Sequence, residues 1–130
     1  MKRWLLLFCS LPVAVAALEK LSAQDFDDYS RGHTLYFAQN GSPYGVEQYF
    51  DNHKSIWKYA DGTCAKGVWW EERDLICFVY DSDPEPSCWS FHKDGDKYSA
   101  RVEDGDPANE LVVVGINNDP ITCRGPDVGV

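Results

Sequence analysis

Four cysteines, Cys64, Cys77, Cys88 and Cys123, follow one another at separations of 13, 11 and 35 residues. The spacing contains no C-x-x-C pair, so it fits neither the common structural zinc sites nor a close redox dithiol. An even set of thiols in a small exported chain reads instead as two disulfides. Three connectivities are open. Cys77 and Cys88 flank a single loop that neighbouring strands would close, and Cys64 with Cys123 would then tie the tail to mid-chain. That pairing is the one the sequence favours. A fifth cysteine, Cys9, follows Phe8 inside an apolar run. It lacks the small preceding residue that lipid modification requires.

Other reactive residues are scattered. His33, His53 and His92 form no H-x-x-x-H pair, so no metal site is expected. There is no G-x-S-x-G elbow and no phosphate-binding loop. No catalytic, cofactor-binding or metal-binding residue is assigned, and the sequence favours a protein that is not an enzyme. Two acidic runs, Asp81-Ser82-Asp83-Pro84-Glu85 and Glu103-Asp104-Gly105-Asp106, lack the calcium-loop register and read as solvated turns. The aromatics are more suggestive. Trp69 and Trp70 are adjacent, so on a strand they must point to opposite faces. One can enter the core, while the other is exposed, covered or part of a pocket. Both are candidate binding aromatics.

These residues need a chain that places them. The 130 residues carry a formal net charge of −9, which disfavours nucleic acid and anionic membrane surfaces. Residues 1–17 read as a signal peptide: Lys2 and Arg3, an apolar run too short to span a bilayer, then Ala14-Val15-Ala16-Ala17 offering a cleavage site. Cleavage leaves residues 18–130 as a single domain, acidic and without a membrane span, destined for the periplasm or the exterior.

Within that domain, Ser22 and Asp25 form a capping box, and Leu21 and Phe26 a hydrophobic staple. A helix follows over Ala23–Arg31, with Gly32 as its stop. The period then changes to two. Strands are expected at His33–Ala38, Gly45–Phe50, Lys54–Tyr59, Cys64–Glu71, Asp74–Tyr80, Cys88–Lys93, Lys97–Val102 and Leu111–Gly115, separated by Asn-Gly, Asp-Gly and Asp-Pro turns. The expected fold is all-β: an antiparallel up-and-down meander forming a small barrel or curved sheet, with the N-terminal helix plugging one end or covering an edge. Leu35 and Phe37, then Ile76, Phe78 and Tyr80, then Trp89 and Phe91, should face the core.

Several of these runs resemble a family. Leu21-Ser22-Ala23-Gln24-Asp25-Phe26, Gly32-His33-Thr34-Leu35 and Tyr44-Gly45-Val46-Glu47-Gln48-Tyr49 form one part. Gly67-Val68-Trp69, Ile76-Cys77-Phe78-Val79-Tyr80 and Pro86-Ser87-Cys88-Trp89 form the other. Together they resemble small exported alphaproteobacterial proteins that carry a domain of unknown function. The resemblance implies a lipocalin-like small barrel and brings no activity with it.

The resulting expectation is a non-enzymatic exported barrel that binds a small apolar ligand or a protein partner. A binding barrel should contain an apolar cavity of about 300 Å³ or more. One alternative is a periplasmic proteinase inhibitor acting through Leu18–Gln24, although a capped Ser22 disfavours a free trunk there. The other is a hydrolase whose site has no recognisable motif.

Overall fold

The structure is a computed structural model that describes residue 1, residues 6–12 and residues 18–125. Both the basic start of the expected leader, residues 2–5, and its cleavage stretch, residues 13–17, lie outside the described residues.

The chain opens with a two-residue strand, β1 (Glu19–Lys20), and one helix, α1 (Ala23–Ser30). Eight longer strands follow: β2 (Thr34–Gln39), β3 (Ser42–Tyr49), β4 (Lys54–Tyr59), β5 (Cys64–Glu72), β6 (Leu75–Tyr80), β7 (Asp83–Asp94), β8 (Lys97–Val102) and β9 (Leu111–Asn117). From β2 to β9 each strand pairs antiparallel with the next, and β9 returns to pair with β2. The meander is therefore a closed eight-stranded barrel, which leaves none of its eight strands with a free edge. β1 adds outside the ring, pairing Glu19 with Lys93 and Lys20 with His92 on β7.

Local chemistry accounts for the turns. Asn40 and Gly41 take φ of 49° and 79° between paired Gln39 and Ser42, the left-handed pair that a two-residue hairpin favours. Arg73 and Asp74 do the same between Glu72 and Leu75, without a glycine. The acidic run after Tyr80 is not one long loop. Only Asp81 and Ser82 turn, and Asp83 already pairs with Tyr80 as the first residue of β7.

Helix α1 begins as its sequence dictates. Ser22 Oγ accepts from the Asp25 amide at 3.1 Å, and Asp25 Oδ2 accepts from the Ser22 amide at 3.4 Å. The helix stops one residue short of the expected end, at Ser30. Arg31 takes extended ψ as the C-cap while its N–H still bonds the Asp27 carbonyl. Leu21 and Phe26 are both buried. Phe26 is fully enclosed among Tyr49, Trp69, Phe78 and Phe91, with ring centroids 4.4–6.2 Å away. The helix thus seals the barrel end that carries the β3–β4, β5–β6 and β7–β8 turns.

Leu35, Phe37, Ile76, Phe78 and Phe91 belong to the buried core, with Tyr80 and Trp89 packed against it, as alternation requires. The expected disulfides, Cys64–Cys123 and Cys77–Cys88, are both present. Cys77 and Cys88 are direct register partners on β6 and β7. The Cys64–Cys123 bond fastens the C-terminal tail to the outer wall. The Asp119 carbonyl accepts from Thr34 Oγ1 at 2.7 Å, the Ile121 amide donates to Gln48 Oε1 at 3.1 Å, and the Arg124 amide donates to the Gly62 carbonyl at 2.7 Å. No helix among the described residues is long and apolar enough to cross a membrane.

Candidate functional site

Small residues at inward positions leave the barrel hollow at the end opposite α1. Gly45 on β3, Gly67 on β5 and Ala100 on β8 occupy positions where larger side chains would fill the lumen. A Cβ at Gly45 would overlap the Trp57 ring. One at Gly67 would lie 2.7 Å from Tyr80 Cε1 and 2.9 Å from Ser55 Oγ. The glycines therefore give two large rings room to lie flat against the wall. Between these walls is a cavity of about 590 Å³. Phe37, Trp57, Phe78, Trp89 and Phe91 line its body, and Tyr44, Tyr59 and Asp61 stand at its mouth. Eight of its fifteen lining residues are aromatic, the surface expected of a site for an apolar body.

One carboxylate faces this interior. Glu47 follows the inward alternation of β3 between Gly45 and Tyr49, pairs directly with Trp57 on β4, and is only 3% exposed. Three hydroxyls donate to it. Tyr49 reaches Oε1 at 2.7 Å, while Ser55 and Tyr80 reach Oε2 at 3.0 Å and 2.6 Å. Burial raises the Glu47 pKa above its ordinary value, and the bonds from Tyr49, Tyr80 and Ser55 oppose that rise. Burial, followed by the neighbouring carboxylate, pushes Tyr49 and Tyr80 well above 10, so both hydroxyls stay protonated donors. At the mouth, Asp61 accepts from Thr63 Oγ1 at 2.7 Å and from the Thr63 amide at 2.9 Å. Those bonds, chiefly the hydroxyl's, hold its carboxyl below the ordinary range.

The tryptophans singled out in the sequence lie elsewhere. Trp69 is 3% exposed, beneath Phe26 and the stacked His53 ring, whose centroid is 3.6 Å away. Trp70 is half-buried, pairs in register with Cys77, and donates to Glu72 at 3.4 Å. Neither lines the cavity, whose tryptophans are Trp57 and Trp89. The four disulfide cysteines also lie outside its lining. Glu72, Cys77 and Cys88 are the compact metal-ligand group among the described residues, and their two sulfurs are joined to each other. Leu18–Gln24 is largely committed to the fold: Glu19–Lys20 pairs with β7, Leu21 is buried and Ser22 caps α1.

A second, shallower hollow of about 430 Å³ lies by Lys20, Arg73, His92 and Arg101. Arg101 already pairs with Glu110 at 2.6 Å and Arg73 with Glu103 at 3.5 Å. His92 Nδ1 is buried and has no hydrogen-bond partner among the described residues. Burial, then Arg101, lowers the pKa of this imidazole.

Glu47 is the site residue that sequence reading misses. Its one signal is a carboxylate in phase with Gly45 and Tyr49, on what barrel closure makes the inner face. No family model, no curated protein and no solved structure is significantly similar to the chain.

Proposed function

We propose that the protein is an exported, non-enzymatic carrier that takes a small, largely apolar ligand into its barrel. One observation carries the reading. The lumen is hollow, about 590 Å³ and aromatic-walled, where a structural barrel of eight strands would be filled by its own side chains. The polar groups inside are few and concentrated at Glu47, the pattern by which apolar sites orient a ligand.

Export belongs to the same proposal. Two disulfides support an oxidising compartment, and the sequence of residues 1–17 supports a leader removed on the way there. The resemblance to small exported alphaproteobacterial proteins that carry a domain of unknown function, and the lipocalin-like barrel it implies, belong to this proposal too.

The test is titration of the oxidised protein with the neutral dye N-phenyl-1-naphthylamine. One dye should bind per chain, saturably, with quenching of tryptophan emission. Dye fluorescence that rises without saturation, or binding unaffected by unfolding in urea, would count against an interior site. An intact mass starting near Leu18 with two disulfides, from exported material, would support the leader. A mass retaining residues 1–17 would contradict it.

A further inference from the structure

We propose that the cavity selects small organic cations, with the Glu47 carboxylate serving as counter-ion to a ligand ammonium group. This rests on the reading of the barrel as a ligand carrier and narrows it to one chemical class.

Glu47 lacks a charged partner among the described residues. It is enclosed, yet its three partners are all neutral hydroxyls. The ion pairs among the described residues are Arg31–Asp27, Arg73–Glu103 and Arg101–Glu110, and none involves Glu47. An ionised carboxylate out of water is costly without an opposite charge. No lysine, arginine or histidine among the described residues lines the cavity, so a cation to balance the ionised carboxylate would have to arrive with a ligand, and binding one would favour the charged form that burial disfavours.

The hydrogen-bond count points the same way. A carboxylate has about four acceptor positions. Oε2 takes two donors and Oε1 takes one, which leaves a position on Oε1 for a further N–H. Tyr80 lines the same space, and its hydroxyl oxygen keeps lone pairs after donating to Glu47. The rest of the recognition is aromatic. Trp57 sits opposite Glu47 in the β3–β4 register, and Phe37, Phe78 and Trp89 complete the walls. Aromatic faces attract ammonium groups and accept the apolar body of the same ligand. At the entrance, the bonds from Thr63, and to a lesser degree Arg124, hold the Asp61 carboxyl below its ordinary range, and its charge favours approach of cations. An anionic ligand such as a fatty acid would find no counter-charge among the lining residues and would meet the Asp61 carboxylate at the mouth.

The test uses one carbon skeleton with three head groups: 4-phenylbutylamine, 4-phenylbutanol and 4-phenylbutanoate, titrated calorimetrically into the oxidised protein at neutral pH. The amine should bind at least about tenfold more tightly than the alcohol, and the carboxylate should bind most weakly. Glu47→Gln should collapse the difference between amine and alcohol. Should that variant not fold, the ranking in the native protein still decides. Equal affinities for amine and alcohol, a carboxylate that binds best, or an amine preference that survives Glu47→Gln would each overturn cation selection and leave the carrier reading standing. The same holds if none of the three binds while the naphthyl dye does. If neither the series nor the dye binds, both readings fail.

Discussion

The Tyr80 hydroxyl donates to Glu47 Oε2 at 2.6 Å, joining β6 to β3 across the lumen, with β4 and β5 intervening along the wall. Ser55 on β4 donates to the same oxygen, and Gly67 on β5 leaves Tyr80 the room to reach it. Four consecutive strands are thus organised around one carboxylate.

The first prediction concerns that network. Glu47→Ala removes the acceptor of three buried or half-buried hydroxyls, each costing about 1–3 kcal/mol when left unsatisfied. Urea unfolding should show a loss of roughly 3 kcal/mol or more. Glu47→Gln keeps one acceptor oxygen and should lose markedly less. Equal losses for the two variants would mean that the amide oxygen retained by glutamine does not satisfy the hydroxyls and that the intact carboxyl group is required.

The second prediction is a pH dependence. The folded-state pKa of Glu47 is raised, so its contribution to stability is complete below its ordinary 4.5 and is lost as pH rises through the folded value. Tyr49 and Tyr80, which face it, stay protonated throughout this range. His92 has the opposite sign. Its folded-state pKa is lowered, so its contribution is complete above 6.5 and is lost as pH falls through the folded value. Subtracting Glu47→Gln from the native protein cancels His92 and the remaining groups. The native protein should lose ground relative to the variant as pH rises above 4.5. Parallel stability curves would show that Glu47 ionises in the fold as easily as in the unfolded chain.

The third prediction tests the glycine beneath Tyr80. Gly67→Ala places a methyl 2.7 Å from the Tyr80 ring and 2.9 Å from Ser55 Oγ, closer than packed atoms tolerate. It should cost about 1–3 kcal/mol and detach Tyr80 from Glu47. A changed near-ultraviolet dichroism of the aromatic lumen would report the detachment. Unchanged stability and spectrum would mean that the wall yields without disturbing the network.

The two disulfides should differ in weight. Cys64–Cys123 closes a separation of 59 residues and Cys77–Cys88 one of 11. Replacing the first pair by serine should cost about 4 kcal/mol and the second about 3 kcal/mol, if restriction of the unfolded chain dominates. Only the first should also free the tail, exposing its backbone amides to hydrogen exchange. The reverse order in urea would assign the greater role to native packing around Cys77, which is fully buried.

Much of this architecture is legible in the residues. Ser22 and Asp25 announce the helix, Asn40-Gly41 the first hairpin, and alternation through Ile76, Phe78 and Tyr80 the inward face. These signals are local, so no partner strand is needed to read them. β1 escapes because two residues carry no periodicity, and its pairing with Lys93 and His92 arises only in three dimensions. The start of β7 escapes because Asp83-Pro84-Glu85 has loop composition, and pairing of Asp83 with Tyr80 overrides it. Alternation also requires Trp69 and Trp70 to part, but which of them goes inside is set by strand pairing, which puts Trp69 opposite Phe78 and beneath Phe26. Glu47 is the hardest case. A carboxylate at an inward position is expensive until Tyr80, 33 residues away, arrives to satisfy it.

The central claim, that ligand enters the lumen and does not dock on the outer wall, is tested most directly by the indole N–H signals in a ¹⁵N-labelled spectrum as 4-phenylbutylamine is added. Trp57 and Trp89 line the cavity, whereas Trp70 lies outside it beside the Cys77–Cys88 bond. The account predicts that the Trp57 and Trp89 signals shift together and saturate while Trp70 stays in place. Movement of Trp70 with Trp57 and Trp89 unchanged would contradict it.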